Sequence, residues 1–363
     1  MKHKNIIVSA VMILFFLSLS LFAWFKPQDS FSQSERRKLS QRPELNFQSI
    51  MNGKYMKDFE DYTLDQFPMR DEFRALKAQV AFNVLRRMDN NDIYISDGYA
   101  VKMEYPLNES SVKRAGQRFS HVYEKYLKDS GAKVYVSVIP DKNYFTAGKD
   151  RLSLDYDKLI SNFKAETEFG QYIDIFDCLH IDDYYKTDTH WRQEKILPVA
   201  ERLAQAMGTE LNTEFEEKTL ERDFYGVYYG QSALPLECDK INYLTNEILE
   251  NAKVYDFQNN REISIYDLKK AEGKDPYEIF LSGPLSLITL ENDQSDSGKE
   301  LVIFRDSFTS SLAPLLLSGY DKITLVDIRY IHPDMVGKYV NFTDSDVLFL
   351  YSASVLNNSE TIK

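Results

Sequence analysis

Four uninterrupted β-prone runs constrain this chain of 363 residues more than anything else in it. They are Val134-Tyr135-Val136-Ser137-Val138-Ile139, Leu301-Val302-Ile303-Phe304, Ile323-Thr324-Leu325-Val326 and Val347-Leu348-Phe349-Leu350. Alternating polarity would mark a strand with one wet face, whereas a continuous apolar run marks a strand covered on both. Such strands belong to an α/β domain with a mostly parallel sheet between helical layers. The flanks agree. Residues 109–129 read as a helix with Phe119, Val122, Tyr123 and Tyr126 inward, and Gly131 closes it just before the first run. Tyr172-Ile173-Asp174-Ile175 reads as another strand. One α/β/α domain over about 90–360 is therefore expected. Residues 210–300 read as an excursion from it, with a hairpin around Asn259-Asn260. Pro198 predicts a kink or interruption in the helix that follows residue 190.

The N-terminus carries a second constraint. Ile6–Phe25 is apolar and long enough to span a bilayer as a helix. Lys2, His3 and Lys4 precede it, which places the N-terminus in the cytoplasm and the rest outside. A cleaved signal peptide is the competing reading, but bulky Leu21, Phe22, Trp24 and Phe25 stand where a cleavage site wants small residues. The expected layout is residues 1–26 as cytoplasmic start and membrane anchor, 27–50 as linker, and 51–363 as the extracytoplasmic domain. Two helices are expected near its start, one carrying Tyr55, Phe59, Tyr62 and Phe67, the other Phe73, Leu76, Val80, Val84 and Leu85 on one side. The net charge of −12 and the lack of a basic stripe argue against nucleic acid as a partner. Cys178 and Cys238 are too few for a disulfide framework and read as free and buried. His180, Asp182 and Asp183 form no closed ligand set, so no metal or other cofactor is expected.

Open α/β sheets place ligands at the carboxyl ends of their strands. Ser307 follows the run ending at Phe304, and a strand, a sharp turn with serine and a helix is how hydrolytic α/β folds expose a nucleophile. Its chemical partners lie upstream in Asp188-Thr189-His190-Trp191. Residues two apart in an extended segment point to one side, so Asp188 can orient His190 while His190 takes a proton from Ser307. The plain reading of the same triplet is a helix cap with a surface histidine. Lys142 and Tyr144 follow the first run, Trp191 follows His190, and Arg329 follows the third run. Tyr225 lies in the aromatic stretch FYGVYYG. Each is a candidate substrate contact. Lys142 reads equally as a solvated turn lysine, Tyr225 as loop packing, and Arg329 as the partner of a structural carboxylate.

Taken in order, the segments SERRKLSQRPELN, GKYMKDFEDYTLDQFPMRDEF, VSVIPDKNYF, TDTHW, FYGVYYGQSA, LSGPLSLI, RDSFTSSLAPLL and VDIRY resemble the DHHW proteins of Gram-positive bacteria. These are similar to the alginate O-acetylation proteins of the SGNH-hydrolase-like class. The resemblance implies an SGNH-hydrolase-like α/β/α sandwich with the triad Asp188, His190 and Ser307. It further implies an O-acetyltransferase acting on a cell-surface or secreted polysaccharide, with acyl groups supplied by a membrane-bound O-acyltransferase. An esterase with the same triad, or a non-catalytic accessory module of polysaccharide assembly, are the alternatives. Thr189 stands where the family name implies a second histidine, and Arg305 stands where SGNH enzymes carry glycine. A long cation there either blocks the acyl pocket or holds an anionic acceptor. Leu281-Ser282-Gly283-Pro284 lies where an oxyanion donor would come from.

Overall fold

The computed structural model describes residues 2–32, 34–146, 148 and 151–363; the side chains of Lys2 and His3, part of the charge before the apolar run, lie outside the described residues. The chain forms two compact units, one of residues 1–91 with Tyr229–Pro235, the other of Asp92–Tyr228 with Leu236–Lys363.

In the first unit, α1 (Lys2–Phe25) contains a stretch, Lys4–Phe25, long and apolar enough to cross a membrane. α2 (Lys54–Asp65) and α3 (Arg70–Gln79) follow. The polar residues after α1 predict a plain tether, yet they are folded. Phe31–Ser32 pairs antiparallel with Arg37–Lys38. The Arg37 fork grips the Asp65 carboxylate at 2.5 and 2.8 Å, and Arg70 lies 2.5 Å from Glu35.

In the second unit, eight strands build one sheet. In chain order they are β1 (Lys133–Ile139), β2 (Gln171–Tyr172), β3 (Lys253–Asp256), β4 (Arg261–Ile263), β5 (Leu287–Glu291), β6 (Glu300–Arg305), β7 (Lys322–Val326) and β8 (Asp346–Ser352). Their spatial order is β4-β3-β5-β7-β6-β8-β1-β2. From β7 to β2 all neighbours are parallel, and β5, β3 and β4 continue the sheet antiparallel. The continuous apolar runs occupy β1, β6, β7 and β8, as double-sided burial requires. Along β6, Leu301 and Ile303 join one core while Val302 and Phe304 join the other. α4 (Glu109–Val122) and α5 (Tyr156–Glu166) cover the second core through Val112, Phe119, Leu159 and Phe163. α6 (Leu197–Ala206) and α7 (Thr309–Leu316) cover the first through Val199, Leu203, Leu312 and Leu315.

Two expectations need correction. Residues 210–300 do not simply protrude, because β3, β4 and β5 lie within them and extend the sheet. Val254, Ile288 and Leu290 are buried there, and the predicted hairpin is β3–β4, with Asn260 in the left-handed turn position at φ 49°. Pro198 kinks nothing. α6 begins at Leu197, so the proline falls in the first turn, where a missing N–H leaves no bond unmade.

β7 and β8 flank β6 on opposite sides. The connection leaving β1 runs to β2 on one side and the one leaving β6 runs to β7 on the other, so the connections diverge and leave a crevice at the carboxyl ends of the strands between them, where Ser307 stands after β6.

Candidate active site

The turn after β6 is held by Asp306. Its Oδ1 accepts from Phe308 N–H at 3.1 Å and its Oδ2 from Ser352 N–H at 2.8 Å, which ties the turn to the end of β8. Asp306 and Phe308 are buried, whereas Ser307 between them is half-buried and reaches the surface. The Ser307 backbone N–H, just ahead of α7, has no hydrogen-bond partner among the described residues.

Ser307 Oγ lies 2.8 Å from His190 Nε2, and His190 Nδ1 lies 2.6 Å from Asp188 Oδ1. A carboxylate can only accept, so Nδ1 carries the proton and Nε2 offers its lone pair to the serine hydroxyl. Asp188 is fully buried. Its Oδ1 also accepts from His190 N–H at 3.1 Å, and its Oδ2 accepts from Val227 N–H at 2.8 Å. The preceding loop is clamped by Asp239, which accepts from Lys186 N–H, Thr187 N–H and the Thr187 hydroxyl at 2.8, 2.8 and 2.5 Å. Gly226 presses its backbone onto this loop; a Cβ there would sit 2.3 Å from Asp188 Cβ, so only glycine fits.

The imidazole is also packed from its face. Tyr277 stacks on His190 with ring centres 3.9 Å apart and planes 8° apart. The Tyr277 hydroxyl meets Ser311 Oγ of α7 at 2.8 Å, and Trp191 Nε1 donates to the same Oγ at 2.9 Å and to Phe308 O at 3.1 Å. Gln193 Nε2 donates to Ser311 O at 2.8 Å. His190 and the helix that follows Ser307 are thus joined by a buried network. Sequence reading misses Tyr277, Asp239 and Ser311, because no local pattern marks a contact made across the fold.

Three expected substrate contacts, Trp191, Arg305 and Lys142, are corrected by their burial, and a fourth, Arg329, by its pairing. Trp191 is wholly enclosed and its only polar atom is committed to α7. Arg305 is 1% exposed; its guanidinium donates to Ser310 Oγ at 2.8 Å and Leu285 O at 3.2 Å, so it neither blocks a pocket nor reaches an acceptor. Burial pushes its pKa down, with Asp327 and Asp306 opposing. Arg329 is engaged by Asp327 at 2.9 and 2.7 Å, the structural pairing. Lys142 is buried, with Nζ donating to Tyr185 O at 2.8 Å and lying 5.0 Å from the centre of the Tyr228 ring. Burial pushes the Lys142 amine down to about 7, with Asp188 opposing. Its neighbour Asp141 is pushed up to about 7 by burial and then by the Glu104 charge, while its bond from the Tyr156 hydroxyl at 2.7 Å opposes. Tyr144 and Tyr225 are the exposed candidates. Tyr144 rests edge-on against Tyr156 and Phe176 and lines an open recess of about 620 Å³ with Tyr105, Arg151 and Asp155. Tyr225 directly precedes the Gly226-Val227 segment that grips Asp188. Leu281, Ser282 and Gly283 are three successive left-handed residues, at φ 54°, 59° and 91°. The Ser282 hydroxyl donates to Asp267 Oδ2 at 3.1 Å. His180 N–H donates to Asp183 Oδ2 at 2.7 Å and merely closes a turn. Cys178 and Cys238 are free and half-buried rather than buried.

Sheet, crevice and connectivity define an α/β sandwich of the SGNH-like class. The chain is similar to a DHHW family protein from Eubacterium siraeum at 20% identity and a TM-score of 0.58, covering 76% of this chain and 95% of the other. It is similar to Bacillus cereus PatB1, solved with a sulfonyl adduct, at 17% identity and a TM-score of 0.59, covering 73% and 95%. The likeness to the O-acetyltransferase domain of Pseudomonas putida AlgJ is weaker, at 12% identity and a TM-score of 0.45, covering 73% and 92%. No protein-family profile matches the chain, and no curated protein matches it.

Proposed function

We propose that this chain is a membrane-anchored O-acetyltransferase that works outside the cytoplasm on a cell-surface or secreted polysaccharide. The observation that carries the reading is the pair of bonds at 2.8 and 2.6 Å linking Ser307, His190 and Asp188. In the first half-reaction Ser307 Oγ attacks the carbonyl of an acyl donor. His190 Nε2 takes the hydroxyl proton and returns it to the leaving group, and Asp188 stabilises the imidazolium between the two transfers. The developing oxyanion meets the Ser307 N–H, one donor of the kind that lowers such barriers by about 2.7–4 kcal/mol. In the second half-reaction a sugar hydroxyl gives its proton to His190 and attacks the acyl-serine, which releases the ester and restores Ser307. Water in place of the sugar makes the same site an esterase. Tyr144 and Tyr225 supply exposed aromatic faces suited to sugar rings. The donor partner is a membrane-bound O-acyltransferase, and α1 keeps the enzyme beside it.

The test uses the full chain in detergent with nitrophenyl acetate and an acetylatable oligosaccharide. Ser307→Ala is expected to lower ester turnover by at least about a thousandfold. A reactive sulfonyl fluoride is expected to add mass at Ser307 in the parent and not in the variant. Unchanged turnover in Ser307→Ala overturns the reading.

A further inference from the structure

The first compact unit carries an apolar stripe that its own fold leaves uncovered. Along α3 and the turn that continues it, Met69, Phe73, Leu76, Val80 and Val84 fall at steps of three and four, so they share one face. All five are exposed, Leu76 by 56% and Val84 by 70%. Leu64 and Phe67, at the corner between α2 and α3, are exposed too. A helical period of this kind predicts a buried face. A contiguous exposed one marks contact with something apolar.

The tether identifies that contact. Gln66, which closes α2, is buried; its Oε1 accepts from Asp29 N–H at 2.9 Å, and its Nε2 donates to Asp29 O at 2.8 Å and Ser40 O at 3.0 Å. Asp65 beside it is gripped by Arg37 and accepts from Ser40 N–H at 2.8 Å. Asp29 lies four residues beyond Phe25, the end of the membrane-length stretch. Four residues reach at most about 14 Å, and the headgroup zone is about 5–7 Å deep on each side of the hydrocarbon. The α2–α3 corner is therefore held against the bilayer surface. Charge points the same way. On the outer side of the span, residues 26–91 contain 12 Lys+Arg and 10 Asp+Glu, net +2, while the second unit, with 30 Lys+Arg and 46 Asp+Glu, carries −16. Lys77 on α3, and Arg86 and Arg87 just past it, are exposed. An apolar face with exposed cations is the pattern of a helix lying in an anionic lipid interface.

We propose that α3 and the α2–α3 corner lie in the bilayer interface with the apolar stripe in the lipid, a second membrane contact besides the span. This rests on the reading of α1 as a retained anchor. To test it, the full chain carrying Cys178→Ser and Cys238→Ser is reconstituted in vesicles of phosphatidylcholine and phosphatidylglycerol. A fluorophore is placed through Leu17→Cys, Leu76→Cys or Glu237→Cys. Labels at positions 17 and 76 are expected to be quenched by lipid-borne nitroxide and shielded from aqueous iodide, and the label at 237 to show the reverse. If the label at 76 behaves like that at 237 while that at 17 is lipid-quenched, the anchor stands and the interfacial contact is refuted; the stripe then awaits a protein. If the label at 17 also faces water, the anchor reading falls and the inference with it.

Discussion

At the scale of residues, the site turns on how the imidazole is held. Asp188 fixes the ring in its plane through Nδ1, and Tyr277 fixes it from the face. Asp188→Asn can offer its amide N–H to Nδ1 and so stabilise the wrong tautomer. Ester turnover should fall by about 10³–10⁴-fold and still exceed the uncatalysed rate. Ring stacking contributes about 0.5–1.5 kcal/mol, so Tyr277→Leu should lower kcat about tenfold with KM little changed. Tyr277→Phe keeps the stack and loses only the bond to Ser311, and should recover most of that loss. Equal losses in both variants would show that the hydroxyl, not the ring, is what counts. Asp188 and His190 are legible in the sequence because they sit two apart and act locally. Tyr277 is not, because its contact exists only once the 277 segment packs over the crevice. The buried pair Asp141 and Lys142 gives a pH test. Asp141 is raised to about 7, so its stabilising contribution is present below about pH 4 and lost as pH rises through 7. Lys142 is depressed to about 7, so its contribution is present above about pH 10 and lost as pH falls through 7. Together they place a minimum in this pair's contribution near neutrality. Thermal melts of the parent and of Asp141→Asn across pH 4–7 should differ in slope, with the variant the flatter.

At the scale of elements, what was legible follows from how local each signal is. Double-sided burial along β1, β6, β7 and β8 is written in consecutive residues, and those strands were legible as such. β3, β4 and β5 pair antiparallel at the sheet's other side, and short strands between polar turns carry too little pattern to separate a sheet edge from an excursion. Pro198 misled because a proline inside an apolar helix and one in its first turn look alike until the start of the helix is known. Residues 27–42 misled for a related reason. Their order comes from hydrogen bonds and ion pairs to distant Asp65 and Gln66, which leave no periodicity. That corner is acid-sensitive. The Arg37 hydrogen bond above all holds Asp65 down to about 2. Its contribution is present above about pH 4 and lost as pH falls through 2. Discounted for the half-exposed Arg37, it amounts to about 1–2 kcal/mol. Asp65→Asn should lower the hydrogen-exchange protection factors of residues 29–40 at neutral pH, and those protection factors should no longer fall with acid.

At the scale of the whole molecule, the distribution of charge bears on topology. The residues ahead of the span are basic, and everything beyond Phe25 is a long chain whose larger unit carries −16. Long domains translocate largely regardless of their own charge, and the first span with its basic start generally sets the orientation. The N-terminus should therefore stay in the cytoplasm and both compact units should lie outside. The proposed chemistry needs that arrangement, because a polysaccharide acceptor at the cell surface cannot reach Ser307 from within. Protease added to intact protoplasts should digest the body and leave only a small membrane-embedded fragment containing α1. Fractionation should place the undigested protein with the membranes even after an alkaline wash, because a helix of this apolar length is not released by charge titration. Complete protection from the external protease would put the triad on the cytoplasmic side. Release by the alkaline wash would mean that α1 is removed as a signal sequence, which the bulky side chains before Lys26 argue against.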